Sequence, residues 1–139
     1  MVDALRRALR AVREDGILID LHPTAAPSAV EVGGESVGYV SAGDAPLRHA
    51  AAGAALAQAI DLAWFHVEGS REFAFHTNAD SIDELREYIV DNWRDGDIEE
   101  PVMSRAREKL AKSAGKSVRV VEQVVLTKLR PSRLQSPGK

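Results

Sequence analysis

The chain has 139 residues, a formal net charge of -3 and 45% hydrophobic residues, which is typical of one globular domain with a light, alanine-rich core. Cysteine is absent, which excludes disulfides, thiol catalysis and thiolate metal sites. The acidic balance argues against general nucleic-acid binding, and no apolar run approaches the roughly 20 residues of a membrane span.

The first segment, 2–14, predicts a helix because Leu5, Leu9 and Val12 recur at helical spacing, and Gly16 is its expected left-handed cap. The segment is amphipathic and rich in arginine. It does not resemble an apolar secretion signal, so we expect a cytoplasmic protein.

Two strand regions follow. The apolar run Ile17–Leu21 is typical of a strand covered on both faces, and Pro23 ends it. Val30–Val32 and Val37–Val40 flank Gly33–Gly34, and this pattern predicts a β-hairpin.

The alanine-rich segment 46–65 predicts a long helix with Asp44 as its N-cap. Its small side chains allow a second helix to approach closely. The residues Phe73–Phe75 predict a short extended piece. Ser81 and Glu84 have capping-box spacing and therefore begin another helix, in which we interpret Tyr88 and the following Trp93 as packing residues.

The C-terminal part predicts a helix over 101–113 that Gly115 stops, then a valine-dominated central strand over 118–126. The elements together predict an α/β protein, or α+β if the hairpin dominates, with a mixed sheet of four to five strands and about four helices. Residues 1–130 are expected to form a single domain, and residues 131–139 a disordered tail.

Charge is distributed unevenly, with acidic residues concentrated in 80–100 and basic residues in 101–139. One interpretation is that the helices of these two segments attract each other or face water. The other is an acidic patch that meets a basic partner.

His22 is the main candidate for function because it follows the first strand, and ligands collect beyond the carboxyl ends of strands in open α/β sheets. It could act as a general base or contact a substrate, or its ring could satisfy a loop carbonyl. Asp20 shares this location. His76 and Trp64 are further candidates for substrate binding, although Trp64 has the alternative role of a core anchor.

The remaining motifs do not predict a complete active site. The histidines lack the i,i+4 spacing of a helical metal site, so we expect no metal. Gly33–Gly34 lies in a hairpin and does not open a helix, so it is not a phosphate loop, and we expect no bound cofactor.

The run Leu5–Pro23 resembles the helix and late strand of class I S-adenosylmethionine-dependent methyltransferases, with Arg10–Gly16 in place of the family's "R-V-L-x-P-G-G". Ser81–Leu85 is similar to a later helix of that family, and Val118–Arg130 to its last strand. The resemblance implies a partial Rossmann-like fold, the C-terminal half of such an enzyme. The cofactor half is missing, so we expect no binding of S-adenosylmethionine by this chain alone.

Three functions stay open. The first is a truncated methyltransferase-like domain that lacks catalysis of its own and acts by association, as a homodimer or with a partner protein. Its contact would use the edge at Ile17 or the alanine-rich helix. The second is an enzyme or small-molecule-binding protein with a site at His22 and Asp20. The third is an ordinary small α+β protein. Neighbouring positions for the strands at Ile17–Leu21 and 118–126 in one sheet covered by helices would favour the first, and a closed barrel or a curved sheet around a cavity would favour the second.

Overall fold

The computed structural model describes residues 2–112 and 116–132, and these residues contain four helices and five strands. The helices are α1 (Val2–Ala11), α2 (Ala45–Asp61), α3 (Ile82–Asn92) and α4 (Glu100–Ala111). The strands are β1 (Leu18–Pro23), β2 (Ala29–Val32), β3 (Glu35–Tyr39), β4 (Phe65–Ala79) and β5 (Val118–Pro131). In the part of the chain that the structure describes, no helix is long and apolar enough to cross a membrane.

The strands form one antiparallel sheet in the order β1-β5-β2-β3, and β4 also pairs with β5. The predicted combination of about four helices with a sheet of four to five strands is therefore confirmed. The pairings of β1 with β5, of β2 with β3 and of β2 with β5 all run antiparallel. A Rossmann-like arrangement is built on parallel strands, so that part of the expected architecture is not confirmed.

The chain divides into two compact units, and the first contains the described residues of 1–24, 48–73 and 124–139. In this unit β1 pairs with the second half of β5, so that Leu18 faces Leu129 and Leu21 faces Leu126. The buried side chains of its core are Leu5, Ala55, Leu56, Ala59, Phe65 and Leu129.

The sequence predicts a first strand covered on both faces, and this prediction is wrong. Burial alternates along β1, and Ile19 and Leu21 keep 48% and 57% of their surface exposed. The helix before it is also shorter than expected, since α1 ends at Ala11. Gly16 is not the left-handed cap of a helix; it does not have positive φ, and its N–H donates to the Arg13 carbonyl at 2.9 Å.

The alanine-rich helix α2 ends at Asp61 and does not reach residue 65. Ala63 adopts the left-handed conformation with φ 58°, its N–H donates to the Ile60 carbonyl and the N–H of Trp64 donates to Ala59. This pair of hydrogen bonds is a Schellman motif with alanine in the position that glycine usually occupies. The chain then enters β4, which is far longer than the predicted piece at Phe73–Phe75.

The second unit contains the described residues of 25–47 and 74–123. Its hairpin is confirmed: Val32 pairs with Glu35, and Gly33 and Gly34 form the two-residue turn with φ of 58° and 84°. Positive φ at both positions is the requirement of a type I′ turn, which glycine meets without steric cost. Behind the hairpin and β5 lies a core of buried residues that includes Val30, Val32, Val118, Val120, Ile82, Leu85, Ile89, Ile98 and Met103.

Local signals position the helices of this unit. The Ser81 hydroxyl accepts the Glu84 N–H at 3.1 Å, and a Glu84 carboxylate oxygen accepts the Asp80 N–H at 3.3 Å, so the predicted cap forms. Helix α4 has Pro101 in its first turn. The expected stop at Gly115 lies outside the described residues.

Strand β5 is central as predicted, because it pairs with β1, β2 and β4. It extends to Pro131, and the N–H of Ser132 donates to the Trp64 carbonyl at 2.9 Å. The rest of the expected tail, 133–139, lies outside the described residues.

The acidic and basic runs meet in the second unit. The Arg107 guanidinium of the basic segment donates to Asp83 at 2.8 Å and to Glu100 at 3.0 Å. Arg86 donates to Asp97 at 2.9 Å within the acidic segment itself. The contacts of Arg107 favour the interpretation in which the two charged segments attract each other.

Candidate functional site

His22 and Asp20 form a hydrogen-bonded pair on the inward face of β1. The Asp20 carboxylate accepts the Nδ1–H of His22 at 2.5 Å, and the two side chains are only 14% and 16% exposed. Residues two apart in a strand point to the same face, so the strand itself brings the pair together. The expectation that His22 follows the strand is wrong, because β1 extends to Pro23.

Helix α2 lies against the other side of the His22 ring. A Cβ placed on Gly53 would stand 3.8 Å from Nε2 of His22. His49 is one helical turn before Gly53, close enough for the charge of His22 to affect its pKa. Burial lowers the pKa of His49 from 6.5. A hydrogen bond to the Thr24 backbone raises this pKa but does not outweigh the effect of burial. The neutral form of His49 is therefore favoured here.

A buried hydroxyl lies across the strand pair from this cluster. Asp20 pairs with Thr127 of β5, whose side chain is buried. The Thr127 hydroxyl is 3.5 Å from the hydroxyl of Ser70 on β4, and Ser70 is exposed. Polar side chains of the first unit thus follow one another from the half-buried His49 through Asp20 and buried Thr127 to the exposed Ser70, and we call them the polar row.

The polar row has a definite chemical capacity. Because Asp20 accepts the Nδ1–H of His22, the Nε2 atom of the neutral ring is an acceptor, which is the state of a general base or of an acceptor toward a ligand hydroxyl. Across the described residues, no group of three or more His, Cys, Asp or Glu side chains could hold a metal ion.

The other two residues that the sequence predicts for the site are not part of the row. Trp64 packs against the core of the first unit, and the Arg6 guanidinium lies 5.3 Å from its ring centre, which is the geometry of a cation–π contact. His76 belongs to the second unit, where its Nδ1 is 3.5 Å from Arg119.

Sequence reasoning missed His49, Thr127 and Ser70 as members of the row. Their positions depend on pairing between distant segments. One signal was available in the sequence. If the strand is taken to continue to Pro23, the two-residue spacing of Asp20 and His22 places their side chains on the same face.

The outward face of β1 is apolar and open. Ile19 and Leu21 are 48% and 57% exposed and share one side of β1, and Ile17, which is 47% exposed, directly precedes the strand. We call these three residues the β1 apolar face. Their cross-strand neighbours on β5 include Leu126 opposite Leu21 and Lys128 opposite Ile19. Directly opposed residues point to the same side of a sheet, so this face continues onto β5.

A surface groove of about 440 Å³ lies between β3 and α4 in the second unit and is lined by Arg105, Lys109 and Lys112. Arg105 donates to the Val37 carbonyl at 2.7 Å. Lys109 pairs with Glu35, and Lys112 with Glu108 at 3.0 Å. Each of the three cations thus already has an internal partner.

No protein-family model, curated protein or solved structure matches the chain. The resemblance to methyltransferases therefore stays a prediction.

Proposed function

We propose that the protein acts by associating with other protein chains, and that it forms a homodimer through the β1 apolar face. The observation that supports this is the exposure of Ile17, Ile19 and Leu21, three large aliphatic side chains at alternate positions in β1 and directly before it. Contiguous apolar surface of this kind marks interaction sites, whereas single exposed hydrophobic residues are ordinary.

The face of β1 is better suited to the contact than its edge. The strand stands at one end of the sheet order, but Pro23 has no N–H to donate, and Asp20 and His22 place polar groups on the strand. Proline and inward-pointing charges are common devices that prevent pairing at an exposed edge. Two copies would therefore pack their sheets face to face, with side chains meeting across roughly 10 Å.

The surroundings of the β1 apolar face resemble the border of an interface. Lys128 beside Ile19 pairs with Glu68 of β4 at 3.1 Å, and Glu68 also pairs with Arg130. An apolar centre with a polar border is the usual anatomy of a protein–protein contact. The paired charges would stay at the border, where they keep their solvation.

The contact is expected to be weak. Burying the exposed half of six aliphatic side chains, three from each copy, contributes roughly 1 kcal/mol each, or about 6 kcal/mol in total. The loss of translational and rotational freedom opposes this gain. A gain of about 6 kcal/mol corresponds to a dissociation constant of about 40 μM before that cost. We therefore expect the dimer toward about 1 mM, with the part of the face on β5 adding to the gain.

Sedimentation equilibrium over about 10 μM to 1 mM tests the proposal. We expect the mean mass to rise with concentration from 15.1 kDa toward twice that value. Leu21→Lys places a charge in the apolar face and should weaken association at least tenfold. Leu47→Lys is the matched control, because Leu47 is 75% exposed on α2 and outside that face.

Two results would refute the proposed dimer. One is a constant mass of 15.1 kDa over the whole range. The other is equal loss of association in Leu21→Lys and Leu47→Lys, which would move the contact elsewhere. Circular dichroism of both variants controls for folding.

The second candidate function is a binding or acid–base site at His22. The hydrogen bond from His22 to Asp20 favours it, since this contact leaves Nε2 as an acceptor. Diethyl pyrocarbonate modifies accessible imidazoles, and exposed His66 gives the reference rate. A functional His22 should react within about tenfold of His66, whereas resistance until unfolding would mean a structural role.

The methyltransferase relationship is compatible with the dimer proposal. Strands β1 and β5 are neighbours, with Leu21 opposite Leu126, but the β1 apolar face is open and no helix of the described residues covers it, so this strand order does not by itself favour the truncated-domain hypothesis. A domain of that kind would work through association, as proposed here.

A further inference from the structure

A groove of about 380 Å³ lies in the second unit between the end of β4 and the first turns of α3. Phe75 and Tyr88 line it and are 54% and 43% exposed, although the sequence suggests that Tyr88 is a packing residue. Buried Leu85 and half-buried Ala79 also contribute to the lining. The groove therefore has exposed aromatic side chains and an apolar component.

Carboxylates surround Tyr88 along its helix. Glu84 lies one turn before it and Asp91 one turn after it, and residues at these spacings are neighbours on a helix surface. Within the described residues, neither carboxylate has an ion-pair partner. The Glu84 side chain also lines the groove, and its known contact is with the N–H of Asp80.

Three other acidic side chains of the segment 80–100 are engaged in ion pairs. Asp83 and Glu100 contact Arg107, and Asp97 contacts Arg86. Among the described residues, Asp80, Glu87, Asp95 and Glu99 also have no ion-pair partner, so Tyr88 and Glu84 lie within a wider surface of uncompensated negative charge.

A cation also approaches the groove, but it is compensated. Arg119 lies 3.5 Å from His76, which lines the groove. Its guanidinium donates to Glu31 from Nε at 3.1 Å and from a terminal nitrogen at 3.0 Å. Arg119 consequently does not neutralise Glu84 or Asp91.

We propose that this groove binds a basic side chain of a partner protein, an arginine or lysine within an extended basic segment. Aromatic rings attract a cation over their faces, and the nearby carboxylates supply the matching charge. The stem of a long basic side chain would lie against Leu85 and Ala79. The partner is thus a basic peptide segment, distinct from the second copy that the β1 apolar face would bind.

The test is calorimetric titration of the full chain with an acetylated tetra-arginine amide at about 50 mM salt. A tetra-glutamine peptide of the same design is the ligand control. We expect saturable binding of the arginine peptide, and a loss of at least fivefold in Tyr88→Ala and in Glu84→Gln. Glutamine is accepted at the capping-box position, so Glu84→Gln keeps the start of α3 intact.

Tyr39→Ala is the matched control variant, because Tyr39 is 57% exposed in the same unit but does not line the groove. It should bind the arginine peptide as the unaltered chain does. Tyr88→Phe keeps the ring and should retain binding within about twofold.

Three results would overturn the proposal. The first is the absence of saturable binding up to about 1 mM peptide, and the second is equal binding of the glutamine peptide. The third is unchanged affinity in Tyr88→Ala and Glu84→Gln, which would mean that the peptide attaches elsewhere on the acidic surface. If Tyr88→Ala does not fold, NMR chemical-shift changes of the backbone amides in the unaltered chain on addition of the arginine peptide replace this variant. The largest changes must then lie at Asn78, Glu84 and Tyr88, and changes centred elsewhere would overturn the proposal.

Discussion

Replacing His22 with alanine tests the polar row directly. The substitution removes the imidazole that donates to Asp20 at 2.5 Å and leaves that carboxylate, which is only 16% exposed, without this donor. If His22 followed the strand as a loop residue, the loss of stability would be below about 1 kcal/mol. Its position inside β1 leads to a larger expectation.

The expected loss is about 2 kcal/mol. A hydrogen bond to a charged group contributes roughly 1.5–3 kcal/mol, and an unsatisfied buried acceptor adds a desolvation penalty when water cannot replace the donor. Asp20 retains some exposure, so the lower part of that range applies. Asp20→Asn keeps an oxygen that can accept the Nδ1–H, and it should cost about half as much.

Urea unfolding followed by tryptophan fluorescence measures this loss. Trp64 packs in the first unit and Trp93 in the second, so a Trp93→Phe background lets the signal report the unit that contains His22. His66→Ala is the control, because His66 is exposed on β4 in the same unit. It should change the free energy of unfolding by less than about 0.5 kcal/mol.

A loss below about 1 kcal/mol for His22→Ala would refute the reasoning, since the hydrogen bond to Asp20 would then make little net contribution. An equal loss in His66→Ala would also refute it, because the effect would not be specific to the polar row.

Two further predictions concern the first unit. The lowered pKa of His49 means that the folded state disfavours its protonation, so stability should be complete above about pH 6.5 and fall as the pH drops below that value. The urea midpoint at pH 5.5 should therefore be lower than the midpoint at pH 7.5, and His49→Gln should reduce this difference. A difference that is the same in His49→Gln as in the unaltered chain would contradict the role given to His49. Ala63→Gly should stabilise the chain by about 0.5–1 kcal/mol, because glycine adopts φ of 58° without the cost that alanine bears. A lower thermal midpoint in Ala63→Gly than in the unaltered chain would contradict this prediction. Ala57→Gly, on the exposed face of α2, is the control and should destabilise the chain.

Local signals predicted the second unit well. The Gly33–Gly34 turn and the cap at Ser81 depend on backbone conformations that neighbouring residues decide, so they could be identified without knowledge of tertiary contacts. The valine-rich β5 was also evident, since residues on both of its faces are apolar.

The missed features depend on contacts between distant segments. Strand β4 has only one buried residue, Phe65, and so it has no apolar alternation from which a strand of 15 residues could be predicted. Its conformation is stabilised by pairing with β5. The open outward face of β1 was missed for a similar reason, because an apolar run does not reveal whether a second layer covers it.

The central position of β5 also has a consequence for the order of folding. Its first residues, from Val118, pair with β2 in the second unit, and its last residues pair with β1 in the first unit. Both units therefore depend on the same strand, and neither can complete its sheet before β5 pairs. Until that step the folding chain exposes unpaired strands of both units, so we expect its greatest tendency to aggregate before β5 has joined the sheet.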